Sequence, residues 1–201
     1  MKIIYTKDKE FKTEFENILK RAKSDIKGVS KIVENIIDEI VEDGNEALKR
    51  HIEKFDKWIV KSDDELLISQ DSMKKAYETL DESLKKSLHI AYERIKAYHE
   101  KQLPKSWIDF EENGTILGQK VTAVDRAGLY IPGGKAAYPS SLLMNAIPAK
   151  VAGVKEIVVC TPTPNNEVNE LLLAACHLCG VSKVYKVGGA SAIAAMAYGT
   201  Q

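Results

Sequence analysis

The strongest constraint on the fold is an alternation of short apolar strands and helices that begins at residue 128. Strands are predicted at 128–131, 156–160 and 183–187, and the helices that follow them are predicted at about 140–152, 167–179 and 191–198. A chain that alternates in this way builds a parallel sheet, because each helix provides the crossover between two strands. The sequence therefore predicts an α/β fold with a parallel half-sheet.

Two of the predicted strands end in a pair of glycines. Gly133 and Gly134 follow the first strand, and Gly188 and Gly189 follow the third. The carboxyl ends of parallel strands share one edge, where open α/β sheets bind ligands. Glycine lets the backbone approach a phosphate, and the helix start behind it offers N–H groups and a positive dipole end. The two glycine turns therefore favour a Rossmann-like crevice that binds a nucleotide-sized anion. The alternative is that the glycines only make tight turns, since neither turn matches the G-x-G-x-x-G fingerprint of dinucleotide-binding proteins.

Few other residues carry a functional signal. Tyr130 lies near the end of the first predicted strand, where it could cover a ring or bond a ribose, or could simply be half-buried. The pair Cys176 and Cys179 flanks a histidine, but no second pair stands at zinc-ligand spacing, so a buried apolar helix is favoured. The helical histidines in charged surroundings are interpreted as solvated or capping residues, and they are His51, His89 and His99.

Residues 1–125 are predicted to form a helical N-terminal region that includes a hairpin at 107–124, and 126–201 the first part of a Rossmann-like domain. One apolar stripe at helical spacing consists of Val29, Ile32, Val33, Ile36, Ile37, Ile40 and Val41. Ser69 is a plausible N-cap for the helix that follows it. The Asn113-Gly114 pair between two extended runs is a strong hairpin signal.

Composition narrows the class of protein. The formal net charge is zero and no basic stripe stands out, so nucleic-acid binding is not expected. Apolar runs stay far below the roughly 20 residues of a spanning helix, and no membrane association is expected. The sequence holds three cysteines, which fit a reducing compartment rather than a disulfide framework, and a cytoplasmic location is expected.

Several long motifs run through the chain in a fixed order. The longest are G-L-Y-I-P-G-G at 128–134, Y-P-S-S-L-L-M-N-A at 138–146, V-A-G-V at 151–154, V-G-G-A-S-A-I-A-A at 187–195 and A-Y-G-T at 197–200. Shorter upstream matches are D-G at 43–44, A-L at 47–48, K-F-D at 54–56, E-L-L at 65–67 and H-E at 99–100. Over almost the whole chain, the sequence resembles histidinol dehydrogenase.

The resemblance implies an NAD-dependent, zinc-containing homodimer that oxidises L-histidinol to the aldehyde and then to L-histidine, with two NAD per turnover, in histidine biosynthesis. Tyr130 matches an NAD contact of the family. Ser191 stands where the family usually has a glutamine that contacts NAD, and its side chain is too short to span the same distance. The remaining family contacts, which are an NAD-binding asparagine, the zinc ligands and a Glu-His pair, are expected beyond Gln201, so no catalytic or metal residue is nominated here.

Two hypotheses follow from the sequence. The chain is the N-terminal part of a histidinol dehydrogenase, or it is a non-catalytic remnant that acts at most as an interaction or scaffold piece. Coding sequence for the missing half downstream of codon 201 would favour the first hypothesis.

We predict that the 201-residue chain by itself does not oxidise histidinol, because the resemblance places the zinc ligands and the base outside it. The measurement is NADH absorbance with purified chain, zinc, NAD and histidinol. Steady NADH formation above a protein-free control would contradict the prediction.

Overall fold

The computed structural model describes residues 3–21, 26–133 and 138–200. The helices are α1 Phe11–Arg21, α2 Ile26–Asp43, α3 Asn45–Asp56, α4 Gln70–Glu78, α5 Glu82–Glu100, α6 Pro139–Val151, α7 Glu170–Cys179 and α8 Gly189–Tyr198. The strands are β1 Leu67–Ile68, β2 Trp107–Phe110, β3 Ile116–Gln119, β4 Arg126–Tyr130, β5 Glu156–Cys160 and β6 Lys183–Tyr185. Short 3-10 helices lie at Asp63–Leu66 and Pro164–Asn166.

The main sheet has the strand order β1-β6-β5-β4, in which β4, β5 and β6 run parallel. This arrangement confirms the predicted α/β fold and its parallel, Rossmann-like sheet. Tyr130, Cys160 and Tyr185 are register partners at the carboxyl ends of the three parallel strands. The loops that follow these residues therefore leave the sheet side by side.

Strand β1 was not predicted from the sequence. It pairs antiparallel with β6, with Leu67 opposite Tyr185 and Ile68 opposite Val184. Lys186 N–H extends the pairing by donating to the Leu66 carbonyl at 2.8 Å. A strand of two residues is too short to show the period-2 alternation by which strands are read from sequence. Its effect is to cover the β6 edge of the sheet with a segment from the first half of the chain.

The helices cover both faces of the main sheet. On one face α6 and α7 pack together, with α5 against α6 and α4 against α7. On the other face α8 packs against α2, and the side chains of α3 join the same core. Because side chains of a strand alternate between faces, Val159 enters the first core and Cys160 the second. Each core contains residues from both sides of position 125, and the division of the chain at 125 stays a prediction.

Helix ends and the hairpin follow the local sequence signals. Ser69 caps α4, because its hydroxyl accepts a hydrogen bond from Ser72 N–H at 3.1 Å. Strands β2 and β3 form the predicted antiparallel hairpin around Gly114, whose φ is 87°. Strand β3 ends at Gln119, before the end of the predicted hairpin at 124, and both strands expose all their side chains. In the described part of the chain, no helix is long and apolar enough to cross a membrane.

Candidate functional site

Pro162, which follows the central strand β5, lies between the two glycine turns. A Cβ added to Gly133 would come within 2.8 Å of the Pro162 carbonyl oxygen. A Cβ added to Gly188 would overlap the Pro162 Cβ and lie 3.0 Å from its Cα. Both turns therefore need glycine for close packing on the same proline, and the structure brings them together at one edge of the sheet. Gly134 lies outside the described residues.

Gly189 has a different reason to be glycine. Its φ is 62°, in the left-handed region, and a Cβ there would have no heavy atom within 4 Å. It begins α8, whose N-cap Gly188 makes no side-chain capping bond. Gly189 N–H donates to the Tyr130 hydroxyl at 3.3 Å, so Tyr130 reaches from β4 to the start of α8. The start of this helix is thus open on one side and tied to β4 on the other.

A cavity of about 260 Å³ lies next to the start of α8. Gly188, Gly189 and Ser191 line it. Gly133 and Tyr130 are not among its lining residues: Gly133 packs on Pro162, and the Tyr130 hydroxyl bonds Gly189 N–H. Pro162 and Val187 also line it. Helices α2 and α3 supply both apolar and polar side chains to the opposite wall, which include Ile36, Ile52, Phe55, His51 and Asp56. The cavity is smaller than the full dinucleotide crevice expected from the sequence, and it could enclose part of such a ligand.

His51 and Ser191 form a buried polar pair in this cavity. The distance from His51 Nδ1 to Ser191 Oγ is 2.8 Å, and His51 Nε2 lies 2.9 Å from Glu39 Oε2. His51 is only 5% exposed and Ser191 4%. The prediction that His51 is a solvated or capping residue is therefore wrong. His89, by contrast, is exposed and bonds the Tyr77 hydroxyl, and His99 is half-buried on α5.

Asp56, at the end of α3, is the buried carboxylate of the cavity. One of its oxygens accepts a hydrogen bond from Thr163 N–H at 3.0 Å, and only 7% of the residue is exposed. Burial raises the pKa of the Asp56 carboxyl above its ordinary value, and the bond from Thr163 offsets this only in part. Asp56 therefore holds the loop after β5 against α3 at a cost in desolvation.

Helical spacing could have identified both residues from the sequence. Ala47, Leu48 and Ile52 form the buried face of α3. His51 lies four residues after Ala47 and Asp56 four residues after Ile52, so both fall on the same face. The expectation that His51 is solvated or capping rested on its charged neighbours in the sequence and not on this helical spacing. Glu39 carries no such signal, because it is an exposed residue of α2 whose contact with His51 is a tertiary one.

The cysteines are core residues. Cys176 and Cys179 are fully buried free thiols in α7, and Cys160 is buried at the end of β5. Burial raises the pKa of Cys160 to about 11 and that of Cys179 to about 12, so neither is a reactive thiolate at neutral pH. Across 3–21, 26–133 and 138–200, no group of three or more His, Cys, Asp or Glu side chains is arranged to hold a metal ion.

The fold and the site define a class of protein. It is a Rossmann-like α/β protein, in which glycine turns and a helix start border a crevice at the carboxyl edge of a parallel sheet. The family model for histidinol dehydrogenase matches residues 19–201, and the chain belongs to this family.

Individual relatives agree with the family match. The chain is 70% identical to the histidinol dehydrogenase of Sulfurimonas denitrificans over 98% of its own length and 46% of that protein. It is 67% identical to the enzyme of Wolinella succinogenes over 96% of the chain and 44% of the relative. The crystal structure of histidinol dehydrogenase from Elizabethkingia anophelis is similar with a TM-score of 0.78 at 30% identity, over 86% of this chain and 40% of that one. The chain therefore spans less than half the length of these relatives.

We predict that Gly188→Ala destabilises the fold by about 1–3 kcal/mol, because the new methyl group overlaps Pro162 and has no free space. Urea unfolding followed by circular dichroism measures the change. Gly28→Ala in α2 is the control, since a Cβ there meets nothing within 4 Å and alanine favours a helix. Equal stability of the Gly188 variant and the wild type would contradict the close packing on Pro162.

We predict that Asp56→Asn stabilises the fold at neutral pH. Because the pKa of Asp56 is raised in the folded state, protonated Asp56 favours folding below the ordinary carboxyl pKa of 3.8. This contribution is lost as pH rises through the folded-state pKa. Asparagine keeps an acceptor for Thr163 N–H without a buried charge. The gain in melting temperature should therefore shrink as pH falls towards 3.8.

Two further variants control this experiment. Asp38→Asn, at an exposed position of α2, should change stability little at any pH. Asp56→Ala should cost about 1–3 kcal/mol, because it leaves the buried Thr163 N–H unpaired. An Asp56→Asn variant that is less stable than the wild type at neutral pH would show that the carboxylate charge is favourable where it stands.

Proposed function

We propose that this chain forms one side of the NAD site of a histidinol dehydrogenase. The observation that carries the proposal is the packing of Gly133 and Gly188 on Pro162, which gathers the two glycine turns beside the open start of α8. The first N–H groups of a helix have no partner within the helix, and with the helix dipole they suit a phosphate. Membership of the family supports the same cofactor.

The residues of the cavity fit parts of a dinucleotide. A phosphate would lie at the start of α8 beside Gly188 and Gly189, where no Cβ blocks the backbone of Gly189. The Gly189 N–H itself donates to the Tyr130 hydroxyl, so the other N–H groups of the first turn would face the phosphate. The apolar side chains of Ile52 and Phe55 offer a surface to a flat ring, and Ser191 offers a hydroxyl to a ribose or a base. With a volume of about 260 Å³, the cavity would take only part of the ligand, and the rest would extend beyond it.

Two buried hydroxyls add support for a polar ligand or water near the end of β5. Thr161 Oγ1 and Thr163 Oγ1 are buried and have no hydrogen-bond partner among the described residues. Thr161 Oγ1 would lie 3.0 Å from a Cβ at Gly133, so it faces the first glycine turn. Buried polar groups normally have a partner, and an oxygen or N–H group of a ligand or a water molecule could supply one.

The complete enzyme is proposed to oxidise L-histidinol to L-histidine through the aldehyde, with two NAD per turnover, as a cytoplasmic, zinc-containing homodimer. Bound NAD would supply the hydride acceptor for oxidation of the carbinol carbon. The residues of this chain contribute binding and orientation of the nucleotide. The described residues do not fit a zinc site, because no three His, Cys, Asp or Glu side chains among them are grouped to hold a metal ion. The 201-residue chain alone is proposed to be inactive.

We predict that the chain binds NAD in calorimetric titration, and that Gly189→Ala weakens binding about tenfold, which corresponds to about 1.4 kcal/mol. The reason is that the added methyl group would stand in the open space beside the start of α8, where the phosphate is proposed to lie. Gly153→Ala is a matched control: Gly153 also has a left-handed φ, 91°, so it carries similar backbone strain, but it does not line the cavity.

Three results would contradict the proposal. They are absence of NAD binding by the folded wild type, equal affinity of the wild type and the Gly189 variant, and equal weakening by the Gly153 variant. Circular dichroism of each variant separates a loss of the fold from a loss of the site.

A further inference from the structure

The side chains of Glu39, His51 and Ser191 form a continuous hydrogen-bonded row that ends in the cavity. The row joins α2, α3 and the first turn of α8, and His51 and Ser191 are 140 positions apart in sequence. Glu39 Oε2 is also 3.9 Å from the guanidinium of Arg50, which itself pairs with Asp43. The outer end of the row is thus anchored at the surface, and its inner end lines the proposed nucleotide site.

When the His51 ring is neutral, the chemistry of the row fixes the direction of its hydrogen bonds. A carboxylate only accepts, so the bond between Glu39 and His51 requires a proton on His51 Nε2. A neutral imidazole carries one proton, which leaves Nδ1 as an acceptor. The hydroxyl of Ser191 must then donate its proton to His51 Nδ1. Only the lone pairs of Ser191 Oγ remain for a ligand.

We infer that Glu39 and His51 are positioning residues that hold Ser191 as a hydrogen-bond acceptor, so that the cavity selects a hydrogen-bond donor of the bound nucleotide at this point. The inference rests on the proposed NAD site. Donors of this kind are a ribose hydroxyl and the amino group of a base or carboxamide. A phosphate oxygen is excluded from this position, because it would face the lone pairs of Ser191.

The first test measures the tautomer of His51 in the full chain. Nitrogen-15 NMR at neutral pH distinguishes a protonated Nε2 from a protonated Nδ1 and from a doubly protonated ring. We expect the Nε2–H form in the wild type and in Ser191→Ala. Glu39→Gln should increase the Nδ1–H form, because the glutamine amide can donate to Nε2. An Nδ1–H or doubly protonated ring in the wild type would overturn the inference, whatever the chain binds.

The second test uses NAD and inorganic pyrophosphate as separate probes. Ser191→Ala should weaken NAD binding about fivefold, as expected for one neutral hydrogen bond, and should leave pyrophosphate binding unchanged. Ser87→Ala, at an exposed position of α5, is the control and should change neither affinity. Glu39 does not line the cavity, and Glu39→Gln should also weaken the binding of NAD but not that of pyrophosphate. This split would not arise from a merely structural role.

The outcomes separate the inference from the proposal beneath it. Equal loss of NAD and pyrophosphate affinity in Ser191→Ala, or no loss of either, overturns the inference and leaves the NAD site standing. Failure of the wild type to bind NAD overturns the NAD site together with the ligand selection at Ser191. In that case the NMR result still decides whether Ser191 is held as an acceptor.

Discussion

The packing of Pro162 between Gly133 and Gly188 is the contact on which the site depends. Pro162 follows the central parallel strand, and its neighbours follow the two flanking strands. A side chain at either glycine would push these loops apart, because the nearest atom in each case belongs to Pro162. The same packing places the start of α8 beside the cavity, where Gly189 leaves the backbone open.

The first half of the chain completes this edge of the sheet. Helices α2 and α3 provide much of the cavity wall. Two buried hydrogen bonds tie α3 to the rest of this edge: Asp56 accepts from Thr163 N–H across 107 positions, and His51 bonds Ser191, in the first turn of α8, across 140. Buried polar groups are costly unless they are paired, so these bonds specify how α3 sits against the sheet and α8. The N-terminal helices are therefore part of the site and not only its support.

Local patterns predicted most of the fold. The parallel strands, their helices, the Ser69 cap and the Asn-Gly hairpin were confirmed because each has a signal within a few residues. Strand β1 was missed because it is a strand only through its pairing with β6. The nearness of Gly133 and Gly188 followed from topology, since parallel strands end at one edge. The hydrogen-bond partners of Ser191 and Thr163 could not be predicted from the sequence, because they depend on how helices distant in sequence pack together.

The structure gives a different interpretation of Ser191, the position where the sequence differs from the expected family pattern. From the sequence it was a short residue where relatives usually carry glutamine. In the structure its hydroxyl is bonded to His51, which is bonded in turn to Glu39. In the proposed NAD site, the polar contact at this position would come from a hydroxyl held by two further side chains, rather than from one long side chain.

Amide chemical-shift changes in a ¹H–¹⁵N spectrum would show directly where NAD binds on the chain. If the packing of Pro162 between the glycine turns builds the proposed NAD site, the largest changes cluster at the carboxyl edge of the sheet, in Gly133, Thr161, Thr163 and 188–191. Unchanged amides at that edge, with NAD-induced shifts instead at the opposite, amino ends of the strands around Arg126 and Glu156, would contradict this.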